Sequence, residues 1–131
     1  MTVKLDETAR GLIDGRNAAT VATLNADGRA QLSVIFVARD EDTLVFSTTT
    51  DRLKTRNIKR DPRITVLVMD ATNAGKYVEI RGTVELVEDP EKHLPQRMYE
   101  KYLGADAPPE PGVDRLIVRL NADRIFCFPP S

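Results

Sequence analysis

The chain has 131 residues, 41% hydrophobic and 30% charged, which is the size and composition of one domain over residues 1–131 and leaves no room for a second. Nineteen Lys and Arg against twenty Asp and Glu give a net charge of -1, so no overall field gathers nucleic acid or an anionic membrane, and any polyanion site must be local. One cysteine, Cys127, and one histidine, His93, exclude an intrachain disulfide and a Cys/His zinc cluster, and a histidine-dependent hydrolytic triad would rest on His93 alone.

In chain order, Leu5, Ala9, Leu12 and Ile13 recur at spacings near 3.6 and predict a short helix stopped at Gly15, a lid on the core. From Ala18 the chain changes to AATVATL, NADG, AQLSVIFVAR, DEDT and LVFSTT, β-rich runs parted by turn formers, which read as three strands in two consecutive antiparallel hairpins. The segment TTTDRLKTRNIKRDPR follows, where Thr50 or Asp51 can cap a short helix that must end before Pro62. ITVLVMD then reads as a buried strand. YVEIRGTVELVE alternates, with Val78, Ile80, Val84 and Leu86 on one face, and Gly82 lets that strand bend. Asp89-Pro90 opens a helical stretch with Leu94, Met98 and Tyr102 every four residues, GADAPPEPG is loop, and RLIVRLNADRIFCF is a final strand ended by Pro129, Pro130 and Ser131.

Six strands in mostly sequential hairpins, with short helices at the margins, predict a mainly β protein, a small antiparallel barrel whose closure removes exposed strand edges. Ile35 and Val37 oppose Val34 and Phe36, and Leu67 and Met69 oppose Val66 and Val68, so these strands are apolar on both faces. One face fills the barrel. The other needs cover that three short helices do not supply, which predicts a homodimer packed through the outside of the barrel.

The chemistry concentrates between Arg52 and Arg63, where six of the nineteen basic residues follow the hydroxyl run Ser47, Thr48, Thr49 and Thr50. Hydroxyl donors, the first turn of a helix and cations at one strand end make an anion cradle suited to phosphate, with a merely solvated basic helix as the competing reading. Gln31 and Ser33 share a strand face with Ile35, a polar patch that either lines the edge of a flat ligand or faces solvent on an edge strand. His93 reads as an exposed surface residue, Cys127 as packing between Phe126 and Phe128, and Tyr99 and Tyr102 as packing residues or the edge of a cleft. Glu41/Asp42 and Glu88/Asp89 read as solvated turn tips. With no nucleophile–base pair, metal cluster or Gly-rich phosphate loop, a bound organic cofactor is the expected source of reactivity.

The strings ATLNADGRAQLSV, LVFSTTTDRLKTRNIKRDPR and YVEIRGTVELVEDP resemble the split β-barrel flavin and deazaflavin proteins related to pyridoxamine 5'-phosphate oxidase, in particular the actinobacterial branch that uses coenzyme F420. The resemblance covers Ala18 to Asp89, and RIFCFPPS is similar to that branch's ending. It implies a six-stranded split barrel of the FMN-binding type and a homodimer with the cofactor at its interface. It also implies that Ser47, Thr48, Thr49, Arg52 and Lys54 lie at the cofactor phosphate, with Asn57 shaping the helical turn that presents them. Gln31, Ser33 and Val34 would border the ring system, and Tyr77 and the C-terminal prolines would approach from the other chain. Ala30 and Val34 depart from the family's usual proline, and proline or asparagine, at those positions.

The implied activity is hydride transfer from reduced F420 to an electron-poor small molecule, with no dedicated side-chain base. An FMN-dependent oxidase or reductase of the same fold is the first alternative; the extra cations Arg56, Lys59 and Arg60 tilt the reading to F420, whose tail continues past the phosphate. A noncatalytic flavin or tetrapyrrole carrier is the second. Nucleic acid is not an expected partner, because aromatics make up 5% of the chain with no Trp. Nor is a membrane, since no apolar run nears the ~18 residues that span a bilayer. MTVKLDETARGL also lacks a signal-peptide core, so a cytoplasmic location is expected.

Overall fold

In the computed structural model, which describes residues 2–130, the first helix, α1 (Glu7–Asp14), starts where the Asp6 carboxylate accepts the Ala9 N–H at 2.8 Å. Its stripe of Ala9, Leu12 and Ile13 is buried in the core, as the spacing implies. The rest is one antiparallel sheet with two more helices, α2 (Leu53–Arg60) and α3 (His93–Leu103). Its strands are β1 (Ala19–Leu24), β2 (Ala30–Ile35), β3 (Ala38–Asp40), β4 (Thr43–Thr49), β5 (Arg63–Asp70), β6 (Asn73–Glu88) and β7 (Arg115–Phe128).

The sheet order is β2-β1-β5-β6-β7-β4-β3. Two tight hairpins sit at its ends, β1–β2 through a turn whose Gly28 takes φ +87°, and β3–β4. The six predicted strands are seven, because residues 30–39 do not form one strand. Pairing with β1 stops at Ile35, and from Ala38 the chain pairs with β4 at the opposite end of the sheet. Phe36 and Val37 make the crossing, so β2 and β3 are joined by chain and not by a ladder. The uninterrupted apolar run VIFV hid that break, since both strand ends bury side chains there.

The crossing is held from α3. The Val37 N–H donates to the Tyr102 hydroxyl at 3.1 Å, whose one proton lies between the carbonyls of Asn17 (2.9 Å) and Val37 (3.0 Å). Lys101 Nζ donates to the carbonyls of Ile13 (2.6 Å) and Val37 (2.7 Å), and the Phe36 ring stacks on Tyr102 at 4.1 Å. The backbone groups that lose a strand partner thus find side-chain partners instead.

Inside, Val21, Leu44, Phe46, Val66, Ile80 and Val118 are fully buried in one cluster. Truncating Phe46 there would cost about 3–5 kcal/mol. On the outer face, Leu32 and Val34 are 62% and 72% exposed, and Leu67, Met69, Phe126 and Phe128 are exposed with them. Gly82 is required by room: a Cβ would stand 2.0 Å from the Asn121 carbonyl oxygen, where the β6–β7 register shifts.

Two helix starts differ from expectation. Neither Thr50 nor Asp51 caps α2; Arg52 is its N-cap residue with no side-chain cap bond, and the Asp51 carboxylate accepts the Thr49 hydroxyl at 2.5 Å. Asp89 is no solvated tip. It is buried at the start of α3, where its carboxylate accepts the N–H groups of His93 and Leu94, each at 3.0 Å.

Candidate functional site

The short β3 covers only Thr43–Val45 of its neighbour, so the remaining edge of β4 has no strand on that side among the described residues. The gap lies between that edge and the end of β2. Side chains alternate along β4: Leu44, Phe46 and Thr48 share the inward face, while Val45, Ser47 and Thr49 face the other way. Val45 on that second face packs against Leu94 and Met98 of α3.

A cleft of 220 Å³ opens there, with Val34, Ile35 and Phe36 as one apolar wall and Pro95, Met98 and Tyr99 of α3 as the other. Its polar lining is Ser47, Arg52, Lys54 and Arg115. Lys54 Nζ donates to Ser33 Oγ at 3.2 Å, which ties α2 to β2 across the gap. Arg115 Nη1 donates to Ser47 Oγ at 3.4 Å, a long contact, while its Nε and Nη2 hold Glu110 at 3.0 and 2.5 Å. Among the described residues, neither Arg52 nor Lys54 has a carboxylate within ion-pair distance. Half-burial, and after it the Arg52 charge, push the Lys54 ammonium below its ordinary pKa. An incoming anion would relieve both causes of strain, so the cleft is electrostatically matched to phosphate or carboxylate.

The predicted site residues separate into two groups. Ser33, Val34, Ser47, Arg52 and Lys54 lie at the cleft. Thr48 points into the barrel, where its hydroxyl meets that of Thr55 at 2.9 Å, and Thr55 in turn donates to the Thr49 carbonyl at 2.7 Å. Thr49 is nearly buried and bonded to Asp51. Asn57, also buried, donates to Thr23 Oγ1 (3.0 Å) and Asn25 Oδ1 (2.9 Å), fastening α2 to the β1 hairpin. Gln31 is half-buried beside Thr23, whose hydroxyl donates to it at 3.3 Å. Tyr77 sits on β6, stacked on Phe128 at 5.5 Å, away from this chain's cleft.

Sequence reasoning missed Arg115, Pro95, Met98 and the role of Phe36 as wall. No local signal names Arg115; its place follows from the register Thr49↔Arg115, which sets it on the face of Ser47 and Thr49. His93 and Cys127 stay outside the cleft. His93 is exposed, and the Cys127 thiol faces Asp6, whose proximity comes second to burial in raising its pKa. A larger groove of 380 Å³ on the outer sheet face includes Arg63 and Arg81, but these are paired with Asp61 and Glu79. No group of three His, Cys, Asp or Glu able to hold a metal ion occurs among the described residues, and no helix there is long and apolar enough to cross a membrane.

Comparison with known proteins places this geometry among relatives. Residues 5–127 match the family described as Pyridoxamine 5'-phosphate oxidase. A pyridoxine/pyridoxamine 5'-phosphate oxidase of Kineococcus radiotolerans is 33% identical over 102 residues, 76% of this chain and 45% of the relative, so the chain spans less than half of that relative's length. Among solved structures, an F420 reductase superposes with a TM-score of 0.83 at 32% identity, covering 89% of this chain and 94% of the other. A conserved hypothetical protein of Mycobacterium tuberculosis gives 0.77 at 23% identity, with 97% and 86% covered. A pyridoxamine 5'-phosphate oxidase-related, FMN binding protein of Nostoc punctiforme gives 0.65 at 16%, with 86% and 73% covered. The last two identities speak for the fold alone.

Proposed function

The chain belongs to the pyridoxamine 5'-phosphate oxidase family and has its split-barrel fold, and from that premise we propose that it is an oxidoreductase that binds coenzyme F420 in the β2/β4 cleft and reduces an electron-poor small molecule. The observation that carries the reading is the half-buried Lys54, beside a second cation and, among the described residues, bonded only to a hydroxyl, at the mouth of an apolar slot. Likeness to the F420 reductase supports the deazaflavin over FMN.

When bound, the reduced deazaflavin supplies a hydride. The chain's own part is binding and exclusion. Lys54, Arg52 and Ser47 would hold the phosphate through charge-assisted bonds, and Ser33, by orienting Lys54, would fix that ammonium rather than touch the ring. Val34, Phe36 and Met98 would keep water from the reacting faces. No side chain in the cleft is set up as a general base, so a proton for the product would come from solvent or from the Tyr99 phenol at the cleft wall.

Ligand pockets commonly measure about 300–1,000 Å³. The 220 Å³ cleft falls short of that, and it opens beside the exposed apolar face of Val34, Leu67 and Met69. Both facts support a homodimer formed through this face, with the partner completing the site and Tyr77 approaching the cleft of the other protomer.

Fluorescence titration of the purified protein with oxidised F420, and in parallel with FMN, tests the reading. Saturable micromolar binding of F420 with much weaker FMN is the expected result, followed by acceptor reduction with the reduced coenzyme. Tighter FMN would make it a flavin enzyme; binding without turnover would make it a carrier; binding of neither would overturn the assignment of the cleft.

A further inference from the structure

Arg115 differs from the other cations of the cleft in being already occupied. The β4–β7 register places it, with Ile117, on the face that carries Ser47 and Thr49. Its Nη1 edge turns to Ser47 and the cleft, and its Nε/Nη2 edge is taken by both carboxylate oxygens of Glu110. Glu110 comes from the proline-rich segment between α3 and β7; that segment is tied back by Lys92 Nζ, which donates to the Glu110 carbonyl at 2.5 Å, and the Val113 N–H closes a turn within it on the same oxygen at 3.2 Å. The pair is a half-buried bidentate fork, the geometry in which a guanidinium also takes phosphate.

We propose that Arg115 is a third anion-binding residue of the cleft, held in reserve by Glu110, whose carboxylate competes with the ligand's phosphate for one guanidinium. This rests on the reading of the cleft as a phosphate site. Paired, Arg115 adds little net charge, and the cleft presents Arg52 and Lys54 alone. Released, it adds a forked donor next to Ser47, and the Glu110 segment loses its tie to β7. Binding and the conformation of residues 104–114 are therefore linked: what frees the loop tightens the ligand, and the ligand frees the loop by the same factor. Glu110, by its hydrogen bond, raises the Arg115 pKa above an ordinary value that is already high, so the guanidinium keeps its charge whether paired or released.

The test is a double-mutant cycle on the full chain, with F420 and inorganic phosphate as separate probes. Glu110→Gln is expected to tighten both by roughly three- to tenfold. Arg115→Met is expected to weaken both by about tenfold, and the double variant to bind like Arg115→Met, because a competitor without its target has nothing to compete for. Arg115→Lys, which keeps charge but loses the fork, should keep the fold and recover only part of the affinity. Unchanged or weaker binding in Glu110→Gln would overturn the proposal and reduce the pair to a loop brace. If F420 binds, is weakened by Lys54→Met and ignores Glu110→Gln, the competition fails while the cofactor reading stands. If phosphate responds to Glu110→Gln while F420 does not bind, the competition stands and the cofactor reading falls.

Discussion

Within the eight residues of α2 and its cap, two sets of polar side chains meet opposite fates. Thr55 and Asn57 face the barrel and spend their hydrogen bonds on Thr48, the Thr49 carbonyl, Thr23 and Asn25. Arg52 and Lys54, one turn earlier, face the gap between β2 and β4, and among the described residues Lys54 has a single serine hydroxyl as partner. The first set is satisfied and holds the helix to the sheet. The second is under-satisfied, which costs some stability and leaves capacity for a ligand. The hydroxyls divide in the same way: Thr48 belongs to the first set and Ser47 to the second, because neighbours on a strand point to opposite faces.

This contrast breaks if stability and ligand affinity move together, and four measurements separate them. Asn57→Ala strips two partners from buried polar groups and is expected to cost about 3 kcal/mol of stability, a fall of roughly 10 °C in Tm, read by thermal and urea unfolding. F420 affinity, measured where the variant is still folded, should change far less. Lys54→Met is expected to weaken F420 by about 1.5–3 kcal/mol in a fluorescence titration while Tm stays level or rises, since it removes a desolvated cation. Thr48→Val should lower stability by about 1 kcal/mol and leave affinity unchanged, whereas Ser47→Ala should do the reverse.

A further contrast sets Lys54 against Lys101, which is equally half-buried but bonded to two carbonyls. Burial, only partly opposed by Asp14 and reinforced by Arg97, lowers the Lys101 pKa to about 8. Its folded-state pKa is below that of the unfolded chain, so between about pH 8 and 10 the unfolded state holds the proton more firmly and stability rises with pH. Above that range the Tyr102 phenol acts the other way. Burial raises its pKa, so the unfolded chain loses that proton first and stability falls. Urea midpoints across pH 7 to 11 should show the rise in the parent and not in Lys101→Met.

Much of this was legible in the residues. Alternation in YVEIRGTVELVE gave a strand and its buried face, the NADG and DEDT turns gave both end hairpins, and Leu94, Met98 and Tyr102 gave the buried side of α3. The clustering of cations after the hydroxyl run was legible, but its partition was not: the hydroxyl run and Asn57 look alike in sequence whether they face the cleft or the barrel. The break after Ile35 was hidden because apolar residues continue through it, and the deciding event, capture of the Val37 amide by Tyr102, spans 65 residues of chain.

By itself the sequence determined what depends on near neighbours along the chain: strand and helix periods, turns, and the clustering of cations on α2. Tertiary structure alone decided which of those cations lack partners, that the outer face bearing Val34 and Leu67 adjoins the cleft, and that Arg115 stands beside Ser47 with Glu110 in its fork. The reason is that register and crossing are set by pairings between distant strands. A slip of one residue in the β4–β7 ladder would turn Arg115 to the other face without altering any local pattern.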